Sequence, residues 1–391
     1  MPSPSPRIVN MARSGIREIM DLAALRPDTL HLEVGQPDFP TPAHIVEAAC
    51  KAAADGYTRY TANRGLLEVR ETIVEKLERE NGIRTTVDDV TISCGAVNAL
   101  FECLAALVSP GEAVLLPDPG WPNYVMMADT LGARAVRYPL LAEDGYLPDL
   151  GRLAELARIS GARAMIINSP SNPTGAVFPR EVMQRLVEIA NENDLYLISD
   201  ECYEHIVFDG EHISPASLDD RRVLSVFSMS KSYAMTGWRV GYVCGPSTAM
   251  EQVAKVQEPV VSCATAMAQK AAQAALAGDQ SCVREMTASY AKRRDMVVEL
   301  LSSAGMLINR PEGAFYILAD ITAAGTPSDE FARRLVTAQG VAVAPGLTFG
   351  PLGKHTVRLS LATAEEQLRA GVERLIEAVR GADLSAPYRR N

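Results

Sequence analysis

The strongest constraint on the fold is a series of short apolar runs, each followed by a turn and then by a helical stretch. Val90–Ser93 precedes a predicted helix from Ala96 to Val108, and Ala113–Leu116 runs into the turn Pro117-Asp118-Pro119-Gly120. Ala164–Asn168 leads through Ser169-Pro170-Ser171-Asn172-Pro173 into a predicted helix over Arg180–Asn193, and Leu195–Ser199, Val223–Phe227 and Val240–Cys244 extend the series. Runs this short and apolar, interleaved with helices, predict an α/β fold with a mostly parallel sheet between helical layers. After about Ser281 the pattern changes to a long helix over Glu285–Ala304, then Ala314–Ala319, a helix near Ser328–Gln339, Val341–Ala344, Thr356–Leu361 and a closing helix from Ala364. That order predicts a smaller α+β domain. The segment up to about Thr41 has too little periodicity to fold alone and is expected to pack across both parts. The expected boundaries are 45–282 for the large domain, with 1–44 and 283–391 forming the small one.

Polar residues sit directly after the predicted strands. Asn172 follows Ala164–Asn168, Asp200 and Tyr203 follow Leu195–Ser199, and Ser228, Ser230 and Lys231 follow Val223–Phe227. Gly95 follows Val90–Ser93 and opens a helix. In a parallel sheet all of these reach one crevice at the carboxyl ends of the strands. A helix start offers free backbone N–H groups and a positive dipole end to a phosphate. A lysine amine condenses with an aldehyde to a Schiff base, and a buried carboxylate keeps a pyridine nitrogen protonated. Together these groups suit pyridoxal 5'-phosphate.

Composition removes other classes. Lys+Arg total 38 against 48 Asp+Glu, a formal net charge of −10, which lacks the footprint of a nucleic-acid or anionic-membrane binder. The seven Cys, Cys94, Cys103, Cys202 and Cys244 among them, form no CxxC pair and suit buried free thiols in a reducing compartment. The five His are isolated, so no metal is expected. Neither a signal peptide nor a membrane-length apolar run is present in the sequence, and a cytoplasmic location is expected. A nicotinamide-binding enzyme is disfavoured because no GxGxxG follows the first strand. A non-catalytic regulator is disfavoured because there is no room for a DNA-binding module before Arg13.

The stretch Ser228-Met229-Ser230-Lys231-Ser232-Tyr233-Ala234-Met235-Thr236-Gly237-Trp238-Arg239-Val240-Gly241 resembles the lysine signature of class I/II aminotransferases, the fold type I, aspartate aminotransferase superfamily. Companions occur in the family's order: Gly35-Gln36-Pro37-Asp38-Phe39, Tyr60 with Gly65, Asn168 through Gly175, Asp200-Glu201-Cys202-Tyr203, Pro311 through Tyr316 and Val357-Arg358-Leu359-Ser360. The resemblance runs from about Arg13 to about Ile376.

It implies that Lys231 holds the cofactor and shuttles protons, that Asp200 partners the pyridinium nitrogen, and that Tyr203 and Asn172 bond the ring's phenolate oxygen. By the same resemblance Ser228, Ser230 and Arg239 hold the phosphate with the amides of Gly95, Ala96 and Val97, and Trp121 stacks on the ring. Arg358 clamps the substrate α-carboxylate, with Gly35, Asn172 and Trp121 also on the substrate side. Tyr60 reaches the neighbouring subunit's phosphate, which implies a homodimer with shared active sites. The implied reaction is ping-pong transfer from an L-amino acid to a 2-oxo acid, with 2-oxoglutarate the expected acceptor. Elimination, cyclisation or oxidation on the same frame is the alternative, because fold and cofactor residues do not separate these outcomes. Departures from the family pattern include Arg64 and Cys94. Arg64 is one candidate for a second cation near a distal substrate carboxylate.

Overall fold

The computed structural model describes residues 2–381. Its centre is a seven-stranded sheet in the order Val90–Ser93, Gly241–Cys244, Val223–Ser228, Tyr196–Asp200, Ala162–Asn168, Ala113–Asp118 and Arg134–Pro139. The strands from Val223–Ser228 to Arg134–Pro139 are mutually parallel, whereas Gly241–Cys244 runs antiparallel to both its neighbours.

Alternate side chains along each strand feed opposite cores. Leu115, Met165, Ile167 and Leu197 enter one core with Ile45, Val69 and Met183, while Val114, Leu116, Ala164, Ile166 and Ile198 enter another with Leu100, Leu104 and Met250. This is the pattern of a sheet covered by helices on both faces, which is why its strands read as continuous apolar runs.

From Ala113–Asp118 the chain first adds Arg134–Pro139 on one side, then crosses to Ala162–Asn168 on the other. Such a reversal opens a crevice beyond the carboxyl ends of the strands.

A third core joins distant stretches. Ile19, Ala23 and Leu32 pack with Phe315, Ile317, Phe331, Leu335, Leu359 and Leu375 around the antiparallel strands Ala344–Pro345, Thr356–Ser360 and Tyr316–Asp320. The helix Ser281–Ser303 bridges the cores, with Val283 in the first and Met286, Val297 and Leu301 in the third. The N-terminal chain touches both parts: the turn of helix Pro6–Val9 meets Asn123–Leu131, and the helix Gly15–Ala24 meets Ser328–Gln339.

Several elements depart from the sequence reading, among them the strand Leu30–His31 in the N-terminal segment. Val341–Ala344 is two strands rather than one: Val341–Ala342 pairs in parallel with Leu30–His31, and Ala344–Pro345 pairs with Thr356–Ser360. The chain changes partner at Val343, a switch that four buried apolar residues in a row do not reveal. Arg134–Pro139 was not anticipated; as a half-exposed edge strand ending in proline it carries only a weak apolar pattern. Among the described residues no helix is long and apolar enough to cross a membrane.

Candidate active site

A cavity of about 520 Å³ lies at the carboxyl ends of the central strands. Lys231, Asp200, Tyr203, Asn172, Ser228, Ser230, Arg239, Ala96, Val97, Trp121, Gly35 and Arg358 all line it.

Asp200 ends its strand and is buried. It accepts hydrogen bonds from Tyr124 Oη at 2.6 Å and from the Cys202 amide at 3.2 Å. Burial raises its carboxyl above the ordinary value, and those two donors oppose the rise. The carboxyl is thus fixed in place and cheap to ionise only beside a cation. Asn168 braces this end of the sheet, since its Nδ2 donates to Asp200 O at 2.9 Å and its Oδ1 accepts from the Asn172 amide at 2.7 Å.

Strand Val223–Ser228 passes directly into the short helix Met229–Ser232, capped by Ser228 Oγ, which accepts from the Ser230 amide at 3.1 Å. That cap places Lys231 over the cavity, where its Nζ donates to Gly35 O. The serine that starts the turn therefore also aims the lysine. A Cβ on Gly35 would sit 2.0 Å from Tyr316 Oη, so only glycine brings that carbonyl so close.

Opposite, Gly95 caps helix Ala96–Leu107 at φ 85°, a conformation that favours glycine. A Cβ there would also lie 2.6 Å from Arg239 Nη2. Gly95 does not itself line the cavity; it shapes the turn. The first-turn amides at Ala96 and Val97 have no intrahelical acceptor and stand beside Arg239, which is held by Thr236 O at 2.8 Å and Cys94 O at 3.2 Å. With Ser228 and Ser230 they form a donor-rich cradle suited to a phosphate.

Arg358 is 2% exposed on strand Thr356–Ser360. Its Nη1 donates to Asn172 Oδ1 at 2.9 Å and its Nη2 to Glu33 O, while Nε, also buried, has no partner. The guanidinium lies 4.2 Å from the Tyr316 ring centre and 4.9 Å from that of Phe349. Burial lowers its ordinarily very high pKa. A buried guanidinium with an unsatisfied Nε–H is a site prepared for a carboxylate. Tyr203 Oη meets Tyr316 Oη at 2.9 Å, and burial lifts its phenol well above the usual range, so it stays a hydrogen-bond donor.

The donor set fits pyridoxal phosphate: an amine for its aldehyde, a buried carboxyl for its ring nitrogen and a cradle for its phosphate. Tyr60 stands apart. It is 89% exposed and lies outside the cavity, so within one chain it contributes nothing to this site. Arg64 is likewise outside, its Nη1 donating to Asp88 O.

Sequence reasoning missed Tyr124 and Asn168 as holders of Asp200, Tyr316 as the partner of both Tyr203 and Arg358, and Arg17 and Met20 as wall residues. Asn168 and Tyr316 lie within the motif stretches Asn168–Gly175 and Pro311–Tyr316, the available signal, and Tyr124 stands three residues after Trp121; Arg17 and Met20 belong to no motif.

Residues 27–375 match the family described as aminotransferase class I and II. The chain is 40% identical over 350 residues to an aspartate/prephenate aminotransferase of Thermus thermophilus, covering 89% of this chain and 90% of that one. It superposes on a structure of aspartate aminotransferase from Thermus thermophilus with maleate at a TM-score of 0.92, with 37% identity, covering 97% of this chain and 100% of the other. A structure of an aromatic aminotransferase from Pyrococcus horikoshii gives a TM-score of 0.88 and 38% identity, covering 94% of this chain and 100% of the other. The chain belongs to the class I and II aminotransferases and is a pyridoxal-phosphate-dependent enzyme of amino-group transfer.

Proposed function

We propose that this enzyme moves the amino group of L-aspartate to a 2-oxo acid, 2-oxoglutarate among them, in two half-reactions at one site. The observation that carries the reading is the convergence of Lys231, Asp200 and Arg358 on one cavity, with Arg358 Nε buried and unpartnered. Support for the donor comes from the relatives named for aspartate.

Pyridoxal phosphate, when bound, supplies an aldehyde carbon that bonds an amine and a pyridinium ring that accepts the electron pair of a substrate Cα–H bond. Lys231 Nζ would hold that aldehyde carbon at rest. Asp200 would keep the ring nitrogen protonated, and Tyr203 Oη and Asn172 would donate to the ring oxygen. Arg239, Ser228, Ser230 and the amides of Ala96 and Val97 would bind the phosphate, and Trp121 would stack on the ring.

Arg358 takes the substrate α-carboxylate, which fixes the orientation of Cα. Lys231 Nζ, when not bonded to the cofactor, would take the Cα proton as general base and would hold it for return. Gly35 O, which accepts from Lys231 Nζ, gives that amine a resting position at the substrate side of the cavity.

The proposal includes a homodimer in which Tyr60 of the partner subunit completes the phosphate site. Its support is the 89% exposure of Tyr60, a large aromatic left outside its own chain's core on a segment that Asn63 Nδ2 ties to Ala254 O at 2.7 Å. A reducing, cytoplasmic setting accords with seven free cysteines. We also read the cores as two domains, 45–282 and 1–44 with 283–391, of which residues 1 and 382–391 lie outside the described residues.

Steady-state rates with varied aspartate at several fixed concentrations of 2-oxoglutarate test the reaction. Parallel double-reciprocal lines are expected. Turnover of aspartate without an acceptor, with ammonia or another leaving group released, would make the enzyme a lyase, cyclase or oxidase instead.

A further inference from the structure

Four cations line the cavity among the described residues: Lys231, Arg239, Arg358 and Arg17. The first three have the roles given above. Arg17 comes from outside the strand-end machinery, on the N-terminal helix Gly15–Ala24, and no motif drew attention to it.

Arg17 breaks a local rule. It lies in the first helical turn, where the helix dipole disfavours a cation. The acidic neighbours on its own helix are already engaged, Glu18 by Arg333 at 2.6 Å and Asp21 by Arg13 at 3.4 Å. The contact Arg17 does make is weak, Nη1 to the Met20 sulfur at 3.8 Å. Among the described residues the cavity contains a single carboxylate, Asp200, and that group is held by Tyr124 and Cys202. Arg17 is therefore a charged wall residue with no carboxylate of its own, next to the apolar wall residues Ile16, Met20 and Val34. A local rule broken without internal compensation points to a functional site.

The helix that carries it is seated firmly. A Cβ on Gly15 would lie 2.3 Å from Thr348 Oγ1, so the helix start approaches the Thr348 loop as closely as glycine allows. Ile19 and Ala23 anchor the helix in the core that also holds Leu359, next to Arg358.

We propose that Arg17 is the specificity-determining residue for substrates with a second, distal carboxylate. Arg358 takes the α-carboxylate at the buried end, and the Arg17 guanidinium takes the distal one at the open end. This deepens the proposed function and rests on it for the identity of the α-carboxylate site. Within one chain Arg64 lies outside the cavity, its Nη1 donating to Asp88 O, so Arg17 is the further cation that this wall itself presents.

The test compares wild-type holoenzyme with Arg17→Met and Arg17→Lys, in two readouts. The first is the ratio of kcat/KM for aspartate to that for alanine. The second is calorimetric affinity for succinate, a dicarboxylate without an amine, relative to butyrate. A charge-assisted contact supports a fall of about 10- to 100-fold in the aspartate/alanine ratio for Arg17→Met, carried mainly by KM, and a succinate Kd weakened by about 10-fold or more. Arg17→Lys should recover part of both. An aspartate/alanine ratio and a succinate/butyrate preference that both persist in Arg17→Met overturn the assignment. If the wild type fails to transaminate any amino acid, the proposed reaction falls, while succinate binding still decides the role of Arg17.

Discussion

Arg358 and Arg17 line the same cavity and are held in opposite ways. Arg358 sits on a central strand of an antiparallel sheet, buried, stacked on Tyr316 and Phe349, and hydrogen-bonded to Asn172 and Glu33. Arg17 sits on a helix supplied by the N-terminal chain, exposed, with a methionine sulfur as its contact. The floor of the cavity is thus built where sheet geometry fixes every side chain, and the rim where one helix can change its residues without disturbing that geometry. The contrast separates chemistry, which needs a rigid preorganised set, from selectivity, which needs a replaceable wall.

The floor also has a polar foundation. Lys76 is fully buried, with its Nζ 2.5 Å from Glu204 Oε2 and 2.8 Å from Asn81 Oδ1. Glu204 follows Tyr203 directly, and neighbouring His205 reaches Ser232, next to Lys231, at 3.1 Å. Burial would raise the Glu204 carboxyl, but Lys76, His205, His212 and Asn81 together hold it down to about 2.

The largest effect we predict is at the floor. Lys231→Ala should lower the rate of cofactor amination by at least about 1000-fold, combining the loss of the amine link and of the general base. Borohydride reduction followed by mass spectrometry should find the cofactor attached to wild type and absent from the variant. Normal turnover in Lys231→Ala would end the assignment.

Arg358→Met should reduce kcat/KM about 100-fold or more for aspartate and alanine alike, because both carry the α-carboxylate. This is the sharpest contrast with Arg17→Met, which should distinguish the two. Selective loss of aspartate in the Arg358 variant would reverse the proposed roles of floor and rim.

Lys76→Met should cost about 3–5 kcal/mol in urea denaturation at neutral pH, because it leaves Glu204 buried without its cation. The sign follows from the depressed carboxyl: in wild type its stabilisation is complete above 4.5 and is lost as pH falls toward about 2. The gap between wild type and variant should therefore narrow over that window. A gap independent of pH would show that the pair does not stabilise the floor electrostatically.

Tyr124→Phe removes one of the bonds that oppose the burial-driven rise of the Asp200 carboxyl. We predict a fall of about 10-fold in kcat, with the acid limb of the kcat–pH profile moved to higher pH. An unshifted limb would mean that Tyr124 only fills space. Gly15→Ala, at the rim, should have the smallest effect: the new methyl displaces Thr348 and shifts the helix, changing the aspartate/alanine ratio while leaving amination by alanine within about threefold.

The floor was legible in the sequence because strand ends are punctuated. Asp200, Asn172, Ser228 and Lys231 each follow an apolar run, and periodicity alone brings them to one edge of a sheet. The central strands were legible for the same reason, within a residue or two at their ends. The rim was not, because Arg17 reaches the cavity through a tertiary placement that depends on the contact of Gly15 with Thr348, 333 positions away in the numbering. Tyr124 was hidden differently: its hydroxyl serves Asp200 across 76 residues, and the sequence shows an aromatic in a helix without showing its partner. The division of Val341–Ala344 between two sheets was hidden because pairing, not composition, decides where one strand ends.

The most direct test of the account is a single half-reaction. Holoenzyme is mixed with L-aspartate in the absence of any oxo acid, and the cofactor spectrum and the oxaloacetate formed are followed together. The account predicts one oxaloacetate per bound cofactor, conversion of the spectrum to that of the aminated cofactor, and recovery of the original spectrum when 2-oxoglutarate is added. Continuous product formation without an acceptor, or a spectrum unmoved by aspartate, would contradict it.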